Sequence, residues 1–394
     1  MKLLVYFIIV IFSVPVFGQK VDIDGPAKFI TEFNFRQLTG GVMLIKARFN
    51  SIPDSFNFIL DTGSGSISLD SATVEKYAIP HEPSGRYMYG IAGVRKVDYS
   101  KNNSLAFPGL KIDSLDFYIN DYEILTNVYG IKVDGIIGYS FLSRYIVKVD
   151  FDSLKIRVYS PGAIKYPPHG LLLHPALRGL PIVPLIIKDA RTIDANYYFD
   201  TGAGLCFLIS KQFKNDSAVL LKRRKPVSTK VQGLGGKAQM HLTIIKKVRI
   251  GKYKFKKVPT YILDDEFNLF SRPSLAGLIG NDILRRFNLI INYPEKEIHL
   301  LPNSHFHDHF DYSYTGMSLY NFNGIIQADD IIEGSPADKA GLKNGDIIIG
   351  INNDFSNDLE KYKNQLQKTG ETITLLIRRD NVPIILSMRV RRIR

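Results

Sequence analysis

The chain of 394 residues has one cysteine, no tryptophan and only 8 histidines. A lone thiol closes no internal disulfide, so the fold must stand on its apolar core. Cys206 has apolar neighbours and no histidine near it in sequence. It reads as a small buried residue, with a nucleophilic thiol as the alternative. Acidic residues are also scarce, 38 against 51 Lys and Arg, for a net charge of +13. The basic residues are nevertheless dispersed. The densest run is Lys222, Arg223, Arg224, Lys225, followed by Lys246, Lys247 and by Lys252, Lys254, Lys256, Lys257. Spacing of two places a row of charge on the solvent face of a strand. Attraction to an anionic surface or substrate is the other reading, and nucleic acid is not an expected partner.

Long apolar runs are missing beyond the first residues. Lys2, an apolar stretch to Phe12 and then Val16 and Gly18 as small residues read as a secretory leader over 1–18. The run has about 10 apolar residues where a membrane span needs roughly 20. The expected mature chain begins near Gln19, is exported to the periplasm or beyond, and has no stable membrane span. Several chemistries lack their motif. Gly233-Leu234-Gly235-Gly236-Lys237 has neither the spacing nor the hydroxyl residue of a phosphate loop. No zinc-protease His-Glu pattern and no Gly-x-Ser-x-Gly elbow occurs. His305, His307 and His309 alternate as on one strand face, but no fourth ligand is apparent. A hydrogen-bonded or solvated linker over 304–311 is the other reading of that stretch. No metal and no cofactor is expected.

What the chain does have is a repeat. Phe58-Ile59-Leu60-Asp61-Thr62-Gly63-Ser64-Gly65 returns as Tyr198-Phe199-Asp200-Thr201-Gly202-Ala203-Gly204. One Asp-Thr-Gly arises by chance in a chain this long roughly one time in ten, so the surroundings decide. They repeat as well. Asp134-Gly135-Ile136-Ile137-Gly138 answers to Ala276-Gly277-Leu278-Ile279-Gly280. Tyr89-Gly90-Ile91-Ala92-Gly93 answers to Gln232-Gly233-Leu234-Gly235-Gly236, a glycine hairpin tip in each copy. Alternating strand pairs over 146–161 and 289–302 close the copies, which are offset by about 140 residues. Strands are expected over 29–35, 42–49 and 180–187, and short helices over 71–77 and 210–220. The fold class is therefore mainly β: two small closed sheets with a cleft between them.

Over residues 40–302 this pattern resembles the aspartic proteases, in the manner of retropepsin-like members fused into one two-lobed chain. The resemblance implies lobes at 19–162 and 163–303, with Asp61 and Asp200 as the catalytic pair. Thr62, Gly63, Ser64, Thr201 and Gly202 would support the loops, and Tyr89, Gly90 and Gly233 would lie on flaps over a peptide substrate. In the family the two threonine hydroxyls cross between the lobes. A local turn-capping role fits the sequence equally well, and cross-strand packing is the alternative for Tyr89. Two adjacent carboxylates cannot both ionise cheaply, so one serves as base and the other as acid towards a water between them. Ser64 follows Gly63 where Ala203 follows Gly202. A Ser64 hydroxyl donating to Asp61 would leave the charge on Asp61 and the proton on Asp200. The other reading is a binding protein that keeps the fold without the chemistry.

Residues 312–394 resemble a PDZ domain, most clearly from Gly334-Ser335-Pro336-Ala337 through Gly345-Asp346-Ile347-Ile348. The expected elements are a short helix entered through Ser335-Pro336, a second over 361–366, and closing strands over 373–378 and 384–390. The resemblance implies a peptide ligand added as a strand, with Gly316, Met317, Ser318 and Leu319 in the loop that meets its end. That loop departs from the usual double glycine.

Overall fold

The computed structural model describes residues 25–233, 235–270 and 275–393, so the leader read over 1–18 lies outside it. The molecule is mainly β. In the first lobe the order is Met43–Phe49, Ser55–Leu60, Gly135–Ile137, Ile67–Asp70, Leu110–Asn120, Gly93–Phe107. The last strand returns to pair with Met43–Phe49, closing a six-stranded barrel. The second lobe repeats this with Leu180–Lys188, Thr192–Phe199, Leu275–Ile279, Phe207–Ser210, Tyr253–Leu263 and Gly236–Ile250, closed between the first and last. In each barrel the strand that ends in Asp-Thr-Gly pairs in parallel with the apolar strand of the glycine motif. Closure leaves neither barrel an open edge.

The alternation of Met43–Phe49 turns Met43, Ile45, Ala47 and Phe49 inward, where Phe49 meets Phe56 and Phe117 at ring distances of 5.8 and 5.2 Å. The two expected helices are present. Ser71–Lys76 is capped by the Asp70 carboxylate on the Thr73 amide, and Lys211–Ser217 by the Ser210 hydroxyl on the Phe213 amide. Such caps contribute about 1 kcal/mol each. The closing hairpins of the two copies join one another. Ile146–Asp150 pairs with Phe287–Asn292, so one continuous sheet runs from Phe29–Gln37 to Leu171–Leu173 through both lobes.

Residues 304–311 hold more than a connection. The Phe306 ring lies 5.4 Å from both Phe255 and Phe287, and Phe310 is buried in the same core. Arg286, fully buried, stacks on Phe310 and gives its guanidinium to the carbonyl of Asp308. His305 bonds Asp308 at 3.0 Å, and no cluster of three metal-ligating side chains occurs among the described residues. One basic residue also departs from a purely solvated run. Arg224 is mostly buried on the Asp189 carboxylate, at 2.6 Å, whereas Lys254 and Lys256 are exposed as the spacing predicts.

The third unit is a sheet in the order Ser318–Phe322, Ile325–Asp329, Asp346–Ile351, Thr372–Arg379, Val382–Arg389, with helices Pro336–Lys339 and Leu359–Gln365 and a core of its own. It is docked on the second barrel through Leu242, Ile244, Tyr314 and Ile393, which are buried together. No helix among the described residues is long and apolar enough to cross a membrane.

Candidate active site

Strands Ser55–Leu60 and Thr192–Phe199 end side by side, each delivering its aspartate onto a turn. The amides of Asp61 and Asp200 are bonded to the carbonyls of Ile137 and Ile279, at 2.9 and 3.1 Å, so each apolar-glycine strand anchors its own loop. The loops are then locked to one another. The Thr62 hydroxyl donates to the Phe199 carbonyl at 2.7 Å and accepts from the Thr201 amide at 3.0 Å. The Thr201 hydroxyl donates to the Leu60 carbonyl at 3.2 Å and accepts from the Thr62 amide at 3.0 Å. Both hydroxyls thus cross between lobes rather than cap their own turns. Gly63 and Gly202 are required by contact across the axis: a Cβ on either would collide with the opposite aspartate's carboxyl.

Asp61 Oδ1 accepts from the amides of Gly63 at 2.6 Å and Gly202 at 3.1 Å. Asp200 Oδ1 accepts from the amides of Gly202 and Ala203, both at 2.9 Å. The Gly202 amide is therefore shared by the two carboxyls. Burial, followed by repulsion from Asp200, holds Asp61 well above the usual carboxylate range, against the Gly63 amide. Burial raises Asp200 as well, but the Ala203 amide, the Asp61 carboxyl and the Gly202 amide all donate to it and offset part of that rise. Of the two, Asp61 is the more strongly raised, which favours the shared proton on Asp61 and the charge on Asp200. This runs opposite to the direction read from sequence, and the reason is local. The Ser64 hydroxyl donates to the Ser66 carbonyl at 3.3 Å rather than to Asp61, while the Ala203 backbone supplies the donor expected of a side chain.

A cavity of about 660 Å³ lies over the pair. Its roof is two hairpins, Glu82–Gly90 with Gly93–Phe107 and Val227–Gly233 with Gly236–Ile250. Their tips touch. A Cβ built on Gly93 would lie 3.0 Å from the Gly235 carbonyl, and one on Gly233 would lie 2.7 Å from Ile91. Tyr89, Gly90 and Gly233 all line the cavity, and Tyr89 is 60% exposed rather than packed across its strand pair. Gly316, Met317, Ser318 and Leu319 line the same cavity, which brings this loop of the third unit and the aspartates to one space. Cys206 stands apart: it is buried, its thiol donating to Asp282 at 2.8 Å, and burial pushes it well above its ordinary pKa.

Sequence reasoning missed the inner wall. Tyr122, Leu125 and Tyr129 lie in and just before helix Glu123–Tyr129 and face the cavity. Burial pushes the Tyr122 phenol up to about 12, and its oxygen lies 2.6 Å from the Ser68 hydroxyl. Burial, then the charges of Asp61 and Asp200, raise Tyr129 too. The available signal was their spacing of three and four along one helical face.

A family model described as an aspartyl protease matches residues 45–141 and 183–283, together half of the chain, and one described as a PDZ domain matches residues 327–379. Among curated proteins the chain is similar to the periplasmic pH-dependent serine endoprotease DegQ of Escherichia coli (strain K12). The identity is 41% over 64 residues, 16% of this chain and 14% of that protein. So short an overlap carries no catalytic chemistry from one to the other. The two stretches matched by the protease model each bring one aspartate from the end of a barrel strand to the shared cavity, and by that match the chain belongs to the aspartyl protease family, in a form that carries a PDZ domain.

Proposed function

We propose that this protein is an exported aspartic-type endopeptidase whose catalytic groups are Asp61 and Asp200. The observation that carries the reading is the pair itself: two half-buried carboxyls from different lobes, sharing one amide donor and held in register by crossed threonines. Asp200, as the charged member, takes a proton from a water lodged between the carboxyls while the water oxygen attacks the peptide carbonyl. Asp61 gives its proton to the carbonyl oxygen. The resulting diol collapses as the nitrogen is protonated and the C–N bond breaks, with no covalent intermediate. Export to the periplasm or beyond rests on the secretory leader read from the sequence over residues 1–18.

In this reading Asp61→Asn or Asp200→Asn alone abolishes peptide cleavage and leaves the fold intact. A peptide mimic with a hydroxyl at the scissile position inhibits, because it copies the diol. Peptide turnover by purified variants is the measurement, and substantial turnover in either variant would sink the mechanism. A protein that only binds peptides would show no turnover before the substitutions and lose no binding after them.

A further inference from the structure

The duplication supplies an internal comparison for the basic residues of the second barrel. Its strands Leu180–Lys188, Gly236–Ile250 and Tyr253–Leu263 run side by side, with Leu185, Ile187, Val248, Ile250 and Phe255 turned into the core. The residues between them face outward. Lys188 stands directly opposite Lys247, Lys247 opposite Lys256, and Arg249 opposite Lys254. Like charges in opposite positions destabilise a sheet, and among the described residues none of the five has a carboxylate within ion-pair distance. Asp194, opposite Ile186, stands at the rim of this face.

The first barrel has the same register without the charge. Its hairpin places Ala106 opposite Lys111 and Leu105 opposite Ile112, as the second places Arg249 opposite Lys254 and Val248 opposite Phe255. Counted from that hairpin, Ser104 and Asp113 take the places of Lys247 and Lys256, and Asn50 that of Lys188. There the Asn50 side chain accepts from the Ser104 amide at 2.7 Å, and Lys111 pairs with Asp113 at 2.8 Å. Closing such a barrel therefore does not call for a row of lysines.

The charge continues on both sides of the row. The buried Asp189 carboxylate accepts from the amides of Leu221 and Lys246, at 2.9 and 3.2 Å, and holds Arg224. That draws the loop after helix Lys211–Ser217 against the strand, with Lys222, Arg223 and Lys225 exposed. On the other side the Tyr312 hydroxyl donates to the Lys257 carbonyl at 2.6 Å, and the Arg392 guanidinium lies 5.5 Å over the Tyr312 ring.

We propose that this basic face docks the protein on an anionic lipid bilayer. A closed barrel is convex outside and offers no groove to a linear polyanion, and none of the five residues lines the cavity over the aspartates. Tyr253 and Phe255, which alternate with Lys254 and Lys256, turn inward to Phe287 and Phe306. The face thus presents no ring to stack on a base. A plane of lipid phosphates needs only exposed cations on flexible stems, and the export proposed above brings lipid headgroups within reach. Strand Thr192–Phe199 begins beside Lys188 and leads to Asp200, roughly 25 Å away at the rise of a strand. Docking there leaves the cleft uncovered. The proposal does not rest on the peptidase reading.

Flotation of the full-length protein with lipid vesicles is the test. Vesicles of phosphatidylcholine are compared with vesicles in which one third of the lipid is phosphatidylglycerol, at about 0.15 M salt. Binding should be confined to the anionic vesicles and should fall as salt is raised. A variant with Lys188→Gln, Lys247→Gln, Lys254→Gln and Lys256→Gln should bind more weakly, roughly fivefold for each charge removed. Lys46→Gln with Arg48→Gln, both exposed on the wall of the first barrel, should leave binding unchanged. Equal binding to the two kinds of vesicle overturns the proposal, as does an equal loss in the two variants. The four-site variant should unfold no earlier than the parent on heating, since fewer like charges face one another; earlier unfolding would make the row part of the fold and overturn the proposal. If heparin binds the parent more tightly than the anionic vesicles do, the face belongs to a linear polyanion and the proposal falls.

Discussion

Asp61 is half-buried at some cost. A carboxyl whose folded pKa lies above its unfolded value binds its proton more tightly in the folded state. Stability therefore falls as pH rises from the unfolded value through the folded one. Asp61 is raised well above the usual range by burial and by Asp200, so at neutral pH the fold carries that loss. Asp61→Asn is neutral at every pH and removes it. Thermal unfolding at pH 7 should show the variant more stable than the parent, by about 1.4 kcal/mol for each unit of the rise. The difference should vanish below a pH of about 3, where the aspartate is protonated in both states. A variant that is less stable at pH 7 would mean that the carboxylate is stabilised there. The aspartates, threonines and glycines of the site were legible because the motif repeats. The direction of their asymmetry was not, because it depends on where one hydroxyl rotates. Ser64 finds the Ser66 carbonyl, and no residue identity announces that choice.

At the scale of elements, the two glycine hairpins roof the cavity and touch at Gly93 and Gly235. Tyr89 presents an exposed ring to the cavity from the first of them. Tyr89→Ala should raise KM or lower kcat several-fold while shifting the unfolding midpoint little, since an exposed side chain loses little buried area. Unchanged kinetics with a large stability loss would return Tyr89 to a packing role. The second hairpin is also tied to the PDZ domain. Lys230 and Lys237 reach the buried Asp330 carboxylate at 3.3 and 3.0 Å, and the Tyr320 hydroxyl donates to it at 2.5 Å. Burial works against the charge, but the Tyr320 hydroxyl and the lysines hold Asp330 below its ordinary range. The tie is complete above the usual carboxylate pKa and is lost as pH falls through the lowered one. Asp330→Asn should speed amide hydrogen exchange over 227–240 at neutral pH. Exchange unchanged there would mean that the hairpin is held by packing alone. The hairpins were legible from their glycines, whereas the tie was not, because Lys230, Lys237 and Asp330 lie about 100 residues apart with no motif between them.

At the scale of the molecule, repeat and composition gave the two lobes and the PDZ sequence gave the third unit, but neither shows how units close on one another. The stretch over 304–311 is polar enough to read as a tether, yet it delivers two phenylalanines into the second barrel. Phe306 stacks among Tyr253, Phe255 and Phe287, and Phe310 covers the buried guanidinium of Arg286. A chain cut after Pro302 loses both rings and also the Asp308 carbonyl that Arg286 bonds. Removing one buried Phe costs about 3–5 kcal/mol, and an unpartnered buried charge adds more, against a total stability of roughly 5–15 kcal/mol for a domain. Truncation after Pro302 should therefore abolish cooperative thermal unfolding. Truncation after Asp311 keeps both rings and the Arg286 bonds but uncovers Leu242 and Ile244, so it should still unfold cooperatively, at a lower temperature than the full chain. Near-ultraviolet circular dichroism of the tyrosines is the measurement, there being no tryptophan to follow. If the two truncated chains melt alike, Phe306 and Phe310 contribute nothing to the barrel, and the lobes end where the repeat ends.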